Sequence, residues 1–196
     1  MTSRFHKLSR SFYARSTLEV AADVVGKYIV YDSPDGKLVA RIVEVEAYVG
    51  QDDPACHAAQ GRTRRNEIMF GPPGYAYVYF IYGMYHCLNF VTEPENHAAA
   101  LLLRAAEPVE GIDIMSRLSP GKKPIDLLSG PGKFCRSFGL TREQNGIDLC
   151  GDTLWLEDRH EPQPEIVRMS RIGIKEGQDR LWRFCDQNSP AVAHHS

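Results

Sequence analysis

Two glutamates and one arginine hold the most chemical promise in this sequence. In residues 38–48, LVARIVEVEAY, Glu44 and Glu46 are separated by a single valine. β-Branched residues favour a strand, and alternate side chains of a strand share a face. The expected faces are therefore Ile42, Glu44, Glu46 and Tyr48 on one side, and Val39, Arg41, Val43, Val45 and Ala47 on the other. The second, mostly apolar face should look to the core. The carboxylates then stand about 7 Å apart on the opposite face, where each disfavours ionisation of the other. A solvated sheet face would carry the same residues. Farther along, residues 98–106, AAALLLRAA, read as a buried strand interrupted by Arg104. A guanidinium is seldom set in an apolar strand without a carboxylate to accept it. Glu44 and Glu46 are the candidates; the alternative is that Arg104 marks the strand's emergence into solvent. A carboxylate steadied by a guanidinium can stabilise a developing cation and take a proton from water.

A second stretch, YAYVYFIYGMYHCLNFVT from Tyr75, shows a different kind of chemistry. Tyr75, Tyr77, Tyr79 and Ile81 alternate with Ala76, Val78 and Phe80 in the period of a strand. A second apolar run covers residues 86–92, and Tyr82-Gly83-Met84-Tyr85 lies between them. Gly83 can take the positive φ of a tight turn, so an antiparallel hairpin with a large aromatic near its tip is expected. Tyrosine-rich strands are commonly half-buried sheet. A tyrosine at a tip also suits a wedge that enters between stacked bases or fills the gap left by an extruded nucleotide.

The elements that must hold these residues follow from local signals. Ser16-Thr17-Leu18-Glu19 has the form of a capping box ahead of a helix over residues 17–25, ended by Gly26. A strand over 28–31 and a Ser33-Pro34-Asp35-Gly36 turn lead into the Glu44 strand. Residues 50–65 are loop by composition, and Phe70-Gly71-Pro72-Pro73-Gly74 is a rigid turn into the tyrosine hairpin. Glu107-Pro108 reads as the start of a helix carrying Ile112, Met115 and Leu118. Leu127-Leu128-Ser129-Gly130-Pro131-Gly132-Lys133 opens another, with Phe134 and Phe138 four apart and Gly139 closing it. Lys133 in the first turn of that helix makes a candidate phosphate contact. Short strands are expected over 153–156 and 181–184, and loose ends over 1–10 and 187–196.

The chain has 196 residues, 22.1 kDa, 43% hydrophobic and 24% charged residues, which fits one globular domain. A net charge of −2 counts against a nucleic-acid partner. Basic clusters count the other way: Arg62, Arg64 and Arg65, then Lys122 and Lys123, then Lys133 and Arg136. Such clusters are also common on plain solvated surfaces. Five scattered cysteines without a C-x-x-C pair suit thiols in a reducing cytoplasm. No signal peptide or membrane-spanning run is read, so the expectation is a soluble protein inside the cell. Cys56-His57 and His86-Cys87 raise the question of zinc. Neighbouring strand residues point to opposite faces, so His86-Cys87 gives one ligand, and nothing completes a tetrahedron.

Four blocks taken together, RIVEVEAYVGQDDPACHA from Arg41, GPPGYAYVYFIYGMYHCLNFVT from Gly71, LLRAAEP from Leu102 and LSGPGKFC from Leu128, resemble the alkyladenine (3-methyladenine) DNA glycosylase family. The likeness runs in the same order over residues 12–149. It implies an α+β fold: one mixed domain with a curved, mainly antiparallel sheet, flanking helices and a protruding hairpin. It further implies Glu46 as catalytic carboxylate, with Arg104 holding it and its water. Tyr82 would enter the minor groove, and Tyr48, His57 and Tyr79 would sandwich the extruded base. Asn89 would crowd a guanine's exocyclic amine. A backbone carbonyl near Ile172 would bind the water. Apart from the resemblance, the basic cluster and the helix start make Arg62, Arg64 and Lys133 the candidate phosphate contacts. No metal or cofactor is implied. The implied activity is that of a DNA glycosylase; no lysine falls on the Glu46 strand face, so a monofunctional enzyme is expected, and a monomer. It removes alkylated or deaminated purines from duplex DNA in the cytoplasm or nucleus and leaves an abasic site for base excision repair. The alternatives are a nucleic-acid-binding module without chemistry on the same fold, and a sugar hydrolase using Glu44 and Glu46. A sugar hydrolase would need its carboxylates on opposite sides of the scissile bond.

Overall fold

The computed structural model describes residues 5–50 and 52–192. Its frame is one antiparallel sheet built from strands β1 (His6–Lys7), β2 (Tyr28–Ser33), β3 (Gly36–Val49), β4 (Ala76–Ile81), β5 (Tyr85–Thr92), β6 (Ala99–Glu110), β7 (Leu154–Asp158), β8 (Ile166–Met169) and β9 (Arg183–Asp186). The main strand order is β1-β7-β2-β3-β6-β5-β4. Four short helices, α1 (Arg10–Tyr13), α2 (Thr17–Val24), α3 (Ile112–Leu118) and α4 (Pro131–Ser137), accompany it. The whole is a single α+β domain, as expected.

Strand β3 is the axis. One of its edges pairs with β6 along almost its full length; the other pairs first with β2 and then, at Glu44, Val45 and Glu46, with β9. The main core lies on one sheet face, where Val20, Ala21 and Val24 of α2 meet Ile42, Val45, Phe90, Leu101 and Leu103, with Phe134 of α4 and Phe138 just after it. The last two rings stack with centroids 4.3 Å apart.

The alternation expected for β3 holds only in its second half. Val45 and Ala47 do face the main core, but so does Ile42, while Val43 packs with Ala105 and Cys185 on the other side. Val39 leaves that face too, joining Tyr28, Val30 and Trp155. The cause is a register shift. Ile42 lies opposite Ala106, Glu44 opposite Ala105, Val45 opposite Leu103 and Glu46 opposite Leu102. Val43 is thus an extra residue on β3, and Arg104 an extra residue on β6. Each β-bulge resets the parity of its strand. Two successive side chains on each strand, Val43 with Glu44 and Arg104 with Ala105, are thereby turned away from the main core.

Three further expectations are corrected. Glu107 and Pro108 belong to β6, not to a helix; Pro108 sits beside a register shift, where a strand tolerates a residue without an N–H. Ser16 makes no side-chain cap to α2. Glu93, after β5, accepts instead from the Thr17 amide at 3.1 Å and the Thr17 hydroxyl at 2.6 Å. The ends are better anchored than composition implied: β1 pairs with β7, and Ser189, Ala191 and Val192 are buried. The remaining parts of both expected loose ends, residues 1–4 and 193–196, lie outside the described residues. Strand β8 carries no clear alternating signal and was not expected.

Helix α3 starts on Gly111, which has φ +78° and lies against β3: a Cβ there would sit 2.5 Å from Leu38 Cδ2 and 2.6 Å from the Lys37 carbonyl oxygen. Gly111→Ala should therefore cost about 1–3 kcal/mol of folding stability in urea titration. A loss below about 0.5 kcal/mol, the scale of ordinary surface substitutions, would contradict this account of the β6–α3 corner.

Candidate active site

The paired bulges bring Glu44, Glu46 and Arg104 into one cluster on the second sheet face. Arg104 stands between the glutamates, with Nε 3.0 Å from Glu44 Oε1 and Nη1 3.4 Å from Glu46 Oε1. Both carboxylates are buried, so the solvated-face reading of this strand does not hold. Arg183 of β9 reaches Glu44 Oε1 at 3.1 Å. Glu46 has two more partners: the Tyr48 hydroxyl donates to Oε2 at 2.8 Å, and the Ile172 backbone amide donates to Oε1 at 2.7 Å. Every group bonded to Glu46 is a donor, which suits the ionised carboxylate.

Burial nevertheless dominates its titration. The Glu46 carboxyl is pushed above the ordinary carboxylate range because it is removed from water, and Glu44 adds to the rise. Arg104, the Ile172 amide and Tyr48 pull in the other direction without cancelling it. Burial also lowers the Arg104 pKa, but the charges of Glu46 and Glu44 outweigh it and hold the guanidinium above its usual value. Removal from water and the Glu46 charge raise the Tyr48 phenol as well, leaving it a hydrogen-bond donor.

A cavity of about 490 Å³ opens beside this cluster, within the range of sites for small molecules. Tyr48, Arg104 and Ile172 line it; Glu46, wholly buried, lies directly behind them. His57, Tyr79, Asn89, Tyr82 and Lys133 line the same cavity, so seven expected side chains and Ile172 line it, with Glu46 an eighth behind the wall. His57 packs edge-on against Tyr79, with centroids 4.6 Å apart, and its Nδ1 meets the Tyr77 hydroxyl at 3.0 Å. That enclosure, helped by the Arg65 charge, lowers the His57 pKa, which favours a neutral imidazole. The Asn89 amide donates to the Tyr77 carbonyl at 3.0 Å and is thereby fixed in the wall.

The hairpin of β4 and β5 closes where Ile81 pairs with Tyr85. Tyr82 at its tip is 79% exposed, with φ +54°, and Met84 beside it is 61% exposed. A left-handed tyrosine is costly, and such strain gathers at functional sites. The tip end of the hairpin is seated on α4: the Tyr85 ring lies so close to Gly132 that a Cβ there would be 2.8 Å from it. Lys133 is at the cavity rim, bonded to Ser129 Oγ at 3.1 Å. Arg62 and Arg64 are not drawn into the cavity. Arg62 lies over the Phe70 ring and bonds Asn96 at 3.3 Å; Arg64 lines a separate groove with Arg65, Arg142 and Phe80.

Several residues here escaped the sequence reading. Tyr77 supports both His57 and Asn89. Arg183 is the second cation on Glu44. Asp53 and Arg171 form a buried pair, with Nη1–Oδ2 at 2.5 Å and Nη2–Oδ1 at 2.8 Å. The signal that singled out Arg104, one arginine in an apolar strand, is missing at Arg171, which follows Ser170 and has Arg168 three residues before it. Asp53 gave none, since a loop aspartate is ordinary.

Among the described residues lining the cavity, none is acidic. A sugar hydrolase flanks its scissile bond with two carboxylates, whereas one carboxylate behind an aromatic pocket suits release of a flat base from its sugar. The class is that of N-glycosylases. Comparison with known proteins narrows it. The family model of methylpurine-DNA glycosylase matches residues 11–190. A protein of Methanocella arvoryzae, named "Putative 3-methyladenine DNA glycosylase", is 52% identical over 191 residues, covering 95% of each chain. Proteins of the same name from Alkaliphilus oremlandii and Carboxydothermus hydrogenoformans are 48% and 47% identical, each covering 95% of this chain and 98% of its own. This chain belongs to the methylpurine-DNA glycosylase family. It is a DNA glycosylase, a hydrolase acting on N-glycosyl bonds in base excision repair.

Removal of Glu46 from water gives a stability test that needs no substrate. Its carboxyl holds a proton more tightly folded than unfolded. Its favourable share in folding is therefore present below the ordinary carboxylate range and lost as pH rises through the raised folded value. Glu46→Gln has no proton to lose at this position. Its melting temperature should gain on that of the wild type between about pH 4 and pH 8. A constant difference over that range would contradict the raised value.

Proposed function

We propose that this protein works as a monomer on duplex DNA, turns an alkylated or deaminated purine into the tyrosine-walled cavity, and hydrolyses its N-glycosidic bond with Glu46. The observation that carries the reading is the all-donor environment of Glu46 directly behind the cavity wall. Base release builds positive charge on the sugar, as in other glycosidic cleavage. Glu46 stabilises that cation and accepts a proton from the attacking water, whose oxygen forms the new bond to C1′ as the departing base takes the bonding electrons. Arg104 and the Ile172 amide hold the carboxylate in its charged form. Oε2 is covered by the Tyr48 hydroxyl alone among these partners, so a shift of Tyr48 as the base stacks on its ring is the shortest way to open Glu46 to water.

Stacking between Tyr48 and the His57–Tyr79 pair contributes about 1–3 kcal/mol per aromatic contact. It favours electron-poor rings, and a methylated purine cation is both electron-poor and a good leaving group. Tyr82, exposed at the hairpin tip, fills the place left in the duplex. The Ile172 carbonyl serves the water while its amide serves Glu46. Phosphate contacts fall to Lys133, Arg62 and Arg64, of which Lys133 is at the cavity rim. Among the described residues no helix is long and apolar enough to cross a membrane, and the reading places the protein with the chromosome, in the cytoplasm or nucleus.

One observation favours a second reading of the chemistry. Lys133 lines the cavity, and an amine there could form a Schiff base that leads on to strand cleavage. The monofunctional reading predicts no covalent adduct when damaged duplex is treated with borohydride during turnover. An adduct lost in Lys133→Met would establish the second reading. Glu46→Gln should release no free base from duplexes carrying one defined purine lesion, a loss of at least about 1000-fold, while still binding an abasic-site analogue. Retained release would remove Glu46 from the reaction. Tyr82→Ala should weaken binding to the lesion duplex about tenfold or more; unchanged affinity would mean that the hairpin is not a wedge.

A further inference from the structure

The loop that supplies the Ile172 amide and the loop that supplies His57 meet over one buried ion pair. Arg171 and Asp53 have fully buried side chains and bind each other through both arms of the guanidinium. Arg171 Nη1 also donates to the Ala47 carbonyl at 2.9 Å, so it is tied to the residue next to Glu46 in β3. Its guanidinium lies 4.7 Å from the centre of the Tyr48 ring and 5.2 Å from that of Trp182. Arg171 therefore touches, or is chain neighbour to, two of the three groups that bond Glu46: Tyr48 and Ile172.

Nothing about folding alone calls for this arrangement. Apolar replacements of a buried ion pair are often as stable or more so. Arg171 Nε is moreover buried without a hydrogen-bond acceptor, which costs stability. The loop also approaches closely at Gly177, where a Cβ would be 2.9 Å from Arg171 Nη2. A rigid, always charged fork fits the task of fixing two loops and a ring at once.

We propose that Arg171, clamped by Asp53, is a positioning residue for Glu46: it holds the Ile172 amide and the Tyr48 ring against the carboxylate and adds a second positive charge near it. The proposal rests on the reading of Glu46 as the catalytic carboxylate. The other charged or titratable groups around Glu46 are Glu44 and Tyr48 on β3, Arg104 on β6, and Arg183 and Cys185 on β9. None of them is itself substituted in the variants below. Against the lowering effect of burial, the Arg171 guanidinium is held above its usual value by Asp53 first, then by Tyr48 and Glu46.

The test is single-turnover base release from a lesion duplex as a function of pH, with binding to an abasic-analogue duplex measured in parallel. Release requires ionised Glu46, so the rate falls on the acid side. Arg171→Gln should lower the maximal rate about 100-fold and move the acid midpoint up by about half a pH unit or more. Binding to the abasic analogue should change by less than about threefold. Asp53→Asn leaves the guanidinium without its counter-charge and should move the midpoint down. Arg171→Lys keeps the charge but loses the fork, so the rate should fall while the midpoint rises less than in Arg171→Gln. Opposite shifts in Arg171→Gln and Asp53→Asn carry the proposal; if Arg171→Gln does not fold, the downward shift in Asp53→Asn with a reduced rate in Arg171→Lys carries it. An unmoved midpoint in Asp53→Asn, or losses of rate and binding in equal proportion, would make the pair a structural clamp and overturn the proposal. Retained release by Glu46→Gln would be a separate failure, of the underlying reading.

Discussion

A carboxylate held in a place without water is the constraint on which this structure depends. An isolated buried charge is costly and normally takes up a proton. Glu46 is burdened in that way, and the fold answers with an array of donors: Arg104 from β6, Tyr48 from β3 itself, and the Ile172 amide from the loop before β9. These donors reduce the rise in its proton affinity without abolishing it. A group tuned in this manner is a stronger base than a solvated glutamate and remains able to face a cation. Both properties suit the part proposed for it in cleaving a glycosidic bond.

The sheet makes the array possible through two bulges that face each other. An unbroken ladder would alternate strictly, and Ile42 would share its face with Glu44. The extra residues Val43 and Arg104 break that alternation on adjoining strands within two rungs. A guanidinium thereby reaches both glutamates while the main core keeps its apolar lining. Strand β9, paired with β3 beyond the end of β2, closes the other edge and places Arg183 on Glu44. Rigid strands thus supply the carboxylate and its guanidinium, and loops supply the remainder of the cavity. The net charge of −2 hides a local excess of cations: Arg64, Arg65 and Arg142 line a groove on the far side of Tyr79 from the cavity.

Much of this was legible in the sequence. The tyrosine hairpin, the Glu46 strand and the arginine in an apolar strand each announce themselves through a local pattern, and Arg104 finds the predicted partners. What could not be read depends on contacts distant along the chain. The bulge at Val43 leaves no mark in a run of β-branched residues. Glu107-Pro108 has the look of a helix start because proline suits both a first helical turn and an irregular strand, and the register against β3 decides between them. The cap of α2 comes from Glu93, 76 residues from Thr17, instead of the adjacent serine. Asp53 and Arg171 are 118 residues apart, and their pairing follows from how two loops close over one cavity. The C-terminal segment looked loose by composition, yet Ala191 and Val192 pack with Val43 and Cys185 behind the site.

The central claim is that Glu46 is the group whose ionisation limits the reaction and that burial sets its titration. Protein labelled with 13C at the glutamate side-chain carboxyl carbon, with the Glu46 signal assigned by its absence in Glu46→Gln, permits a direct NMR titration. The account predicts a midpoint above the ordinary glutamate value of about 4.3, coinciding with the acid midpoint of single-turnover base release once binding of DNA is saturated. A Glu46 signal that titrates at or below the ordinary value, or a rate profile that ignores its titration, would contradict it.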